Sequence, residues 1–86
     1  MIDYSITFAR SARKQLEGLD TYLIRRIISR IEDLTKDPRP KDCKKIQGEE
    51  NLWRIRIGDY RIIYEIDDEK RSVDINNIRH RKEAYR

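Results

Sequence analysis

Apolar side chains recur first with the period of a strand and then with that of a helix at the start of the chain. Between Asp3 and Phe8 they alternate with polar ones, which predicts a short strand. Helical spacing follows in Ala9, Ala12, Leu16 and Leu19, so we expect a short first helix. Gly18 lies near its end, where a left-handed residue would close the last turn.

The second helix has the clearest pattern in the chain. Asp20 is a good N-cap, and Leu19 and Ile24 have the spacing of a hydrophobic staple. One apolar stripe follows, formed by Ile24, Ile27, Ile28, Ile31 and Leu34. Pro38 disfavours helix in the residue before it, so the helix should end by about Asp37. Residues 38–50 are polar and are interpreted as a loop.

The second half of the chain is predicted to be β structure. Strands over residues 52–57, 60–66 and 71–78 are separated by a Gly58-Asp59 turn and a charged turn at residues 67–70. The order β-α-α-β-β-β predicts a single α+β domain over residues 1–86. Two helices should pack on one face of a small, mostly antiparallel four-stranded sheet.

Composition narrows the function classes. Charged residues make up 42% of the 86 residues, and 20 basic against 16 acidic side chains give a net charge of +4. Of the basic residues 13 are Arg, whose planar guanidinium suits phosphate and carboxylate partners. With one Cys and one His, an intramolecular disulfide and a Cys/His zinc site are excluded, and no metal or cofactor is expected. No signal peptide or membrane span is apparent, so we expect a cytoplasmic protein.

The Gly58-Asp59 turn predicts which side chains share a face of the sheet. A two-residue hairpin loop would pair Ile57 with Tyr60 and Arg56 with Arg61, and Arg54 would share the face of these two arginines. Like charges directly across two strands are destabilising, which favours a functional site for phosphate. The alternative is that two carboxylates of the same parity neutralise the cluster, namely Glu65 and Asp74.

The third strand of this region should extend the cationic face. Continued pairing would place Tyr64 opposite Val73, Ile62 opposite Ile75 and Asn76 across from Arg61. Strict alternation would then turn Ile78 away from the core. A bulge at Asn76-Asn77 would return Ile78 to the core and bring Arg79 and Arg81 onto the cationic face.

The segment from Trp53 to Tyr64 resembles the core motif of the RelE/ParE toxin superfamily. The later run Ile78-Arg79-His80-Arg81 and Tyr85 resemble that family's last strand and C-terminal end. The two helices and the Asp37-Pro38 stop match its layout, so the resemblance covers nearly the whole chain. It implies the toxin of a type II toxin–antitoxin system.

A RelE-like member would cleave mRNA in the ribosomal A site without a metal, by attack of the RNA 2′-hydroxyl on the neighbouring phosphate. By resemblance, Arg54 and Arg56 match two basic positions that are lysines in the best-known members. Arg61 matches a phosphate-stabilising arginine, Arg81 a suggested acid, and Tyr85 a tyrosine that stacks on the base or helps to transfer the proton.

Arginine cannot serve as a general base, so either Tyr85 or His80 takes that role or the activity is weaker. The alternative for His80 is a strand-end residue in a hydrogen bond, and for Tyr85 a residue that packs the tail. Trp53 and Tyr60 are interpreted as core residues rather than RNA-stacking ones.

Two other functions compete with the ribosome-dependent nuclease. One is a ParE-like inhibitor that poisons DNA gyrase by binding, and the other is an inactive binding module with the same fold. Every toxin reading implies a cognate antitoxin with an acidic or amphipathic segment. The nuclease also implies the ribosome and its mRNA as partners, and the free toxin is expected to be a monomer.

Overall fold

A computed structural model describes the backbone of residues 3–84 and the side chains through residue 82. Its elements are five strands and three helices: β1 Ser5–Phe8, α1 Arg10–Glu17, α2 Thr21–Asp33, β2 Lys44–Lys45, β3 Leu52–Ile57, β4 Tyr60–Asp67, β5 Ser72–His80 and α3 Arg81–Ala84. None of the helices in this described range is long and apolar enough to cross a membrane.

The sheet has five strands in the order β1-β5-β4-β3-β2, so the predicted four-stranded sheet was one strand short. The additional strand is β2, which pairs antiparallel with β3 within the segment that we had interpreted as a loop. It consists of two exposed lysines, which give no apolar alternation to detect. Strand β1 pairs parallel with β5 and the other strands are antiparallel, as expected for a mostly antiparallel sheet.

Both predicted helices are present, with small differences at their ends. The carboxylate of Asp20 accepts a hydrogen bond from the Leu23 backbone N–H at 2.9 Å, which confirms the N-cap of α2. Helix α2 ends at Asp33, and the chain continues in turns before the Pro38 stop. Gly18 follows α1 with a φ of −81°, so the expected left-handed conformation was wrong.

The core lies between the helices and one face of the sheet. From α1 and α2 it contains Ala12, Ile27, Ile31 and Leu34, and from the strands it contains Ile55, Ile57, Ile62, Tyr64, Ile66, Val73, Ile75 and Ile78. The predicted stripe of α2 therefore faces the sheet, with Ile24 and Ile28 half-buried at its margin. Trp53 and Tyr60 pack against this core, as interpreted from the sequence.

The loop after α2 is attached to the sheet by polar contacts. The buried Tyr64 hydroxyl donates to the Pro38 carbonyl oxygen at 2.8 Å, and burial raises the pKa of this phenol. Arg39 stacks over Trp53 at 5.0 Å and donates two hydrogen bonds to the Asp68 carboxylate. The Tyr4 hydroxyl donates to the same carboxylate at 2.6 Å. These contacts join the loop, β1 and the β4–β5 turn.

Candidate nucleic-acid interface

The β3–β4 hairpin builds the cationic face in the predicted register. Ile57 pairs with Tyr60, Arg56 with Arg61, Ile55 with Ile62 and Trp53 with Tyr64. Gly58 has a φ of +57°, a value that suits glycine in the tight two-residue turn. The apolar members of these pairs face the helices, so the arginines lie on the opposite face.

Strand β5 extends this face, but in a different register from the predicted one. Tyr64 lies opposite Ile75 rather than Val73, and Arg61 lies opposite Arg79 rather than Asn76. The β4–β5 turn has the expected four residues but lies one residue later, over residues 68–71, because its closing pair is Asp67 with Ser72, and this moves the pairing register by two residues. Arg71 in that turn has a φ of +53°, which the sequence does not signal because this turn has no glycine.

The predicted bulge in β5 is present. Ile63 pairs with Asn77 and Tyr64 with Ile75, which leaves Asn76 as the extra residue. Beyond it Ile78 is buried, at 3% exposure, and Arg79 shares the face of Arg61, as predicted. Arg81 does not reach that face, because β5 ends at His80 and Arg81 begins α3.

Two rows of side chains cross the cationic face. One row is Arg56, Arg61 and Arg79 on β3, β4 and β5. The neighbouring row is Lys44, Arg54, Ile63 and Asn77 on β2 to β5. Directly paired side chains have Cβ atoms about 5 Å apart, so five cations are crowded into two adjacent rows.

An open groove of about 900 Å³ lies over these rows. Its lining residues are all basic, amide-bearing or aliphatic: Gln15, Lys44, Lys45, Ile46, Gln47, Arg54, Arg61, Ile63, Asn77 and Arg79. No carboxylate of residues 3–82 contributes to this lining. The groove therefore suits an extended polyanion, with the amides able to contact groups between its charges.

Neutralisation by Glu65 and Asp74 is not observed. The two carboxylates are paired with each other across β4 and β5, and Asp74 accepts a hydrogen bond from the Thr7 hydroxyl at 2.7 Å. Among residues 3–82, no salt bridge joins either of them to an arginine of the two rows. Glu65 and Asp74 lie further along β4 and β5 than the arginines, and they do not neutralise the positive charge of the arginine cluster.

Arg56 is the most exposed of the three β3 and β4 arginines and lies at one end of its row. It lines two smaller recesses instead of the main groove. One is shared with Asp42, Lys44 and Arg54, and the other lies against α2, where it is lined by Tyr22, Arg25, Arg26, Ser29, Arg30 and Ile57. The structure thus brings Arg54 and Arg61 together in the groove and places Arg56 at its border.

Two other predicted site residues, Arg81 and His80, do not line the groove. Arg81 is exposed, with its guanidinium 3.9 Å from the Asp59 carboxylate and its backbone N–H bonded to the Asp59 carbonyl oxygen at 2.7 Å. His80 lies across from Tyr60, on the face opposite to the arginines, and the two rings make an edge-to-face contact at 5.2 Å. Tyr85 lies outside the described residues.

The imidazole of His80 has a structural contact. Its Nδ1 accepts a hydrogen bond from the Lys82 backbone N–H at 3.2 Å, so it caps the turn from β5 into α3. This agrees with the alternative that we kept for His80, a strand-end residue in a hydrogen bond. The described groove therefore contains no histidine.

Sequence reasoning did not choose eight residues that line the groove: Gln15, Lys44, Lys45, Ile46, Gln47, Ile63, Asn77 and Arg79. Arg79 was placed on the cationic face but was not chosen as a site residue, although its bulge-dependent position was the available signal. Lys44 was missed together with β2. No group of three or more His, Cys, Asp or Glu side chains able to hold a metal occurs in the described part of the chain.

Known proteins are similar to this chain in both sequence and fold. The family of ParE toxins of type II toxin–antitoxin systems (parDE) matches residues 6–85. Toxin RelE3 of Methanocaldococcus jannaschii is 31% identical over 84 residues, which cover 93% of each chain. Toxin RelG of Mycobacterium tuberculosis is 31% identical over 85 residues, which cover 96% of this chain and 97% of the relative.

Solved structures agree with these sequence relatives. RelE in the archaeal RelE–RelB complex from Pyrococcus horikoshii superposes with a TM-score of 0.83 at 27% identity, covering 93% of this chain and 97% of that one. The RelBE2 toxin–antitoxin complex from Mycobacterium tuberculosis contains a chain with a TM-score of 0.81 at 30% identity, with 94% of each chain covered. The chain described here is therefore a member of the RelE/ParE superfamily and a RelE-type toxin of a type II toxin–antitoxin system.

Proposed function

We propose that this toxin is an endoribonuclease that cleaves mRNA in the ribosomal A site by metal-independent attack of the RNA 2′-hydroxyl. The observation that carries the proposal is the Arg56–Arg61–Arg79 row beside Lys44 and Arg54, at an open groove to which residues 3–82 contribute no carboxylate. The RelE names of its relatives support an RNA-directed role. A cytoplasmic location follows from this target.

The arginines would serve the reaction by electrostatic stabilisation. Attack of the 2′-hydroxyl adds negative charge to the phosphorane oxygens, and preorganised cations lower the free energy of that state. Arg61 lies between Arg56 and Arg79, so its two cross-strand neighbours are both cations. A phosphate placed over Arg61 would thus be within reach of three guanidinium groups.

Removal of the proton from the 2′-hydroxyl requires a different side chain, because a protonated guanidinium cannot accept a proton. Lys44 lies directly across from Arg54 on the groove face, and lysine, unlike arginine, is a residue type that serves as a general base in enzymes. We assign to Lys44 the role of base toward the 2′-hydroxyl, with Tyr85 as the other candidate. Arg81 remains the proposed acid, and it would have to leave its contact with Asp59 to reach the groove.

The partner of the toxin outside the ribosome would be a cognate antitoxin. The Pyrococcus horikoshii and Mycobacterium tuberculosis structures both contain a toxin with its antitoxin. A cationic groove calls for a partner segment with acidic side chains that covers it. We propose that the free toxin is a monomer and that the antitoxin blocks the groove.

The test is mRNA cleavage by the purified toxin on programmed ribosomes in EDTA. We expect cuts within the A-site codon, and Arg61→Ala should reduce their rate about 10²-fold or more. Arg79→Ala should also reduce it, and so should Arg81→Ala if Arg81 is the acid. Arg13→Ala is the matched control, because Arg13 is exposed on α1 and pairs with Glu17.

Two results would contradict the nuclease. Intact mRNA with continued growth arrest would favour a binding target, and trapped DNA gyrase complexes would identify the ParE-like alternative. Growth arrest that survives Arg61→Ala would favour a binding mode that does not depend on the groove.

A further inference from the structure

Helix α1 occupies the edge of the sheet where strand β1 ends. The last pair of β1 with β5 is Phe8 with Ile75, so the next residues of β5 have no strand on that side. An uncovered strand edge leaves backbone N–H and C=O groups without partners. In this protein the beginning of α1 lies against that edge and replaces the missing strand.

Three groups of α1 and its N-cap residue provide hydrogen-bond partners for this edge. The Ala9 backbone N–H donates to the Ile75 carbonyl oxygen at 2.8 Å, and the Ser11 hydroxyl donates to the Asn76 carbonyl oxygen at 3.2 Å. The Gln15 side-chain oxygen accepts from the Ile78 backbone N–H at 2.7 Å. The last two contacts therefore hold the backbone on either side of Asn77, at the bulge residue Asn76 and at Ile78.

The bulge decides which face receives Arg79. If β5 continued its earlier register, Arg61 would lie opposite Ile78 and Tyr60 opposite Arg79, which would exchange the two faces. In the observed register Arg61 lies opposite Arg79, and Ile78 is buried. A one-residue slip therefore moves a cation out of the groove and an isoleucine into it.

We infer that Gln15 is a positioning residue, which fixes the bulge of β5 through the Ile78 N–H and thereby holds Arg79 in the groove. Ser11 supports the same bulge from its other side. The inference deepens the proposed function, because it assigns a role to a residue that lines the groove without a charge. It concerns the placement of Arg79 and does not require Gln15 to touch RNA.

Gln15→Met is the informative variant, since Met has a similar length but lacks an amide oxygen. We expect the Ile78 amide to exchange with solvent about tenfold faster, as measured by NMR hydrogen exchange, while amides of the β3–β4 hairpin keep their rates. Gln15→Glu keeps an acceptor and should retain the slow exchange. Ser11→Ala should give a smaller increase, and it provides a milder variant if Gln15→Met folds poorly.

Coupling to Arg79 is measured with a fluorescent single-stranded RNA of about ten nucleotides. Gln15→Met should weaken its binding about fivefold in the parent protein and less than about twofold in an Arg79→Ala background. Gln47→Met is the matched control: Gln47 also lines the groove, but its side chain makes no hydrogen bond within residues 3–82. That control should change neither the exchange of Ile78 nor the coupling to Arg79.

The assignment would be overturned if Gln15→Met left the hydrogen-exchange rate of the Ile78 amide unchanged. It would also be overturned if Gln15→Met weakened RNA binding by the same factor in the Arg79→Ala background as in the parent protein, because the two residues would then act independently. Failure of the proposed function would look different. If the parent toxin did not bind RNA at all, the hydrogen-exchange rates and a crystal structure of Gln15→Met would still test whether Gln15 fixes the bulge. That crystal structure should show Arg79 displaced from the groove, and an unmoved Arg79 would refute the inference.

Discussion

At the scale of single residues, the groove combines several fixed cations with few groups that can exchange a proton. Arg54, Arg61 and Arg79 supply charge and directional donors, whereas Lys44 supplies an amine on the same face. His80, which sequence reasoning offered as a base beside Tyr85, lies across from Tyr60 on the other face. The side chains that the groove offers for proton transfer therefore differ from those expected from the sequence.

Replacement of Lys44 separates charge from proton transfer. Lys44→Arg keeps the positive charge, so RNA affinity should stay within about twofold, but cleavage on ribosomes should fall about 10²-fold because the base is lost. Lys70→Arg is the control, since Lys70 is exposed in the β4–β5 turn and does not line the groove. If Lys44→Arg cleaves at the parent rate, Lys44 acts as a cation alone and the base must be sought near Tyr85.

At the scale of elements, the structure shows where local sequence signals suffice. The Gly58-Asp59 turn fixed the register of β3 and β4, and the paired asparagines together with the misplaced Ile78 indicated the bulge. The two-residue β2 has no periodicity of its own and forms by pairing with β3. The β4–β5 turn was misjudged because Arg71 adopts a left-handed conformation without a glycine, although the error of two residues preserved both faces.

The contact of the loop with the β4–β5 turn gives a pH-dependent stability. The hydrogen bonds from Arg39 and then Tyr4 lower the pKa of Asp68 from 3.8 to about 2. A lowered folded-state pKa contributes stability above pH 3.8, which is lost as the pH falls toward about 2. Asp68 is half-exposed, so solvent screening limits this contribution to less than about 1 kcal/mol.

Asp68→Asn should accordingly lower the free energy of unfolding at pH 7 by a few tenths of a kcal/mol, up to about 1 kcal/mol. The difference from the parent protein should shrink below pH 3.8 and vanish near pH 2, in urea denaturation followed by circular dichroism. Glu69→Gln, a neighbouring exposed carboxylate, is the control. A difference that persists at pH 2 would show that the carboxylate charge is not the cause.

At the scale of the whole molecule, the net charge gives little indication of how much positive charge is concentrated at the groove. The chain carries a net charge of only +4, but five cations lie in two adjacent rows of one face and the acidic Glu65–Asp74 pair lies away from them. Local crowding of this kind concentrates an anionic ligand on one side of the protein. Composition indicated only a weak preference for polyanions. The arrangement of the strands gathers the positive charge on one face, so the preference belongs to that face.

The dependence of RNA affinity on salt measures this concentration of charge. If four cations contact phosphates of a single strand, the logarithm of the association constant should fall with the logarithm of salt concentration with a slope of about −3. Arg61→Ala should make the slope shallower by about 0.7, whereas Arg13→Ala should leave it unchanged. A slope near zero for the parent protein would argue against phosphate contacts in the groove.

The parallel pairing of β1 with β5 has a consequence for synthesis of the toxin. Ser5 finds its partner in Ser72, and the arginine row is complete only when residue 79 has been added. A nascent chain that stops short of β5 therefore has an unpaired first strand and half a groove. Because non-local contacts of this separation form late, the complete arginine row should not exist until β5 has been made. The order of the strands thus makes the cationic face one of the last parts of the protein to assemble.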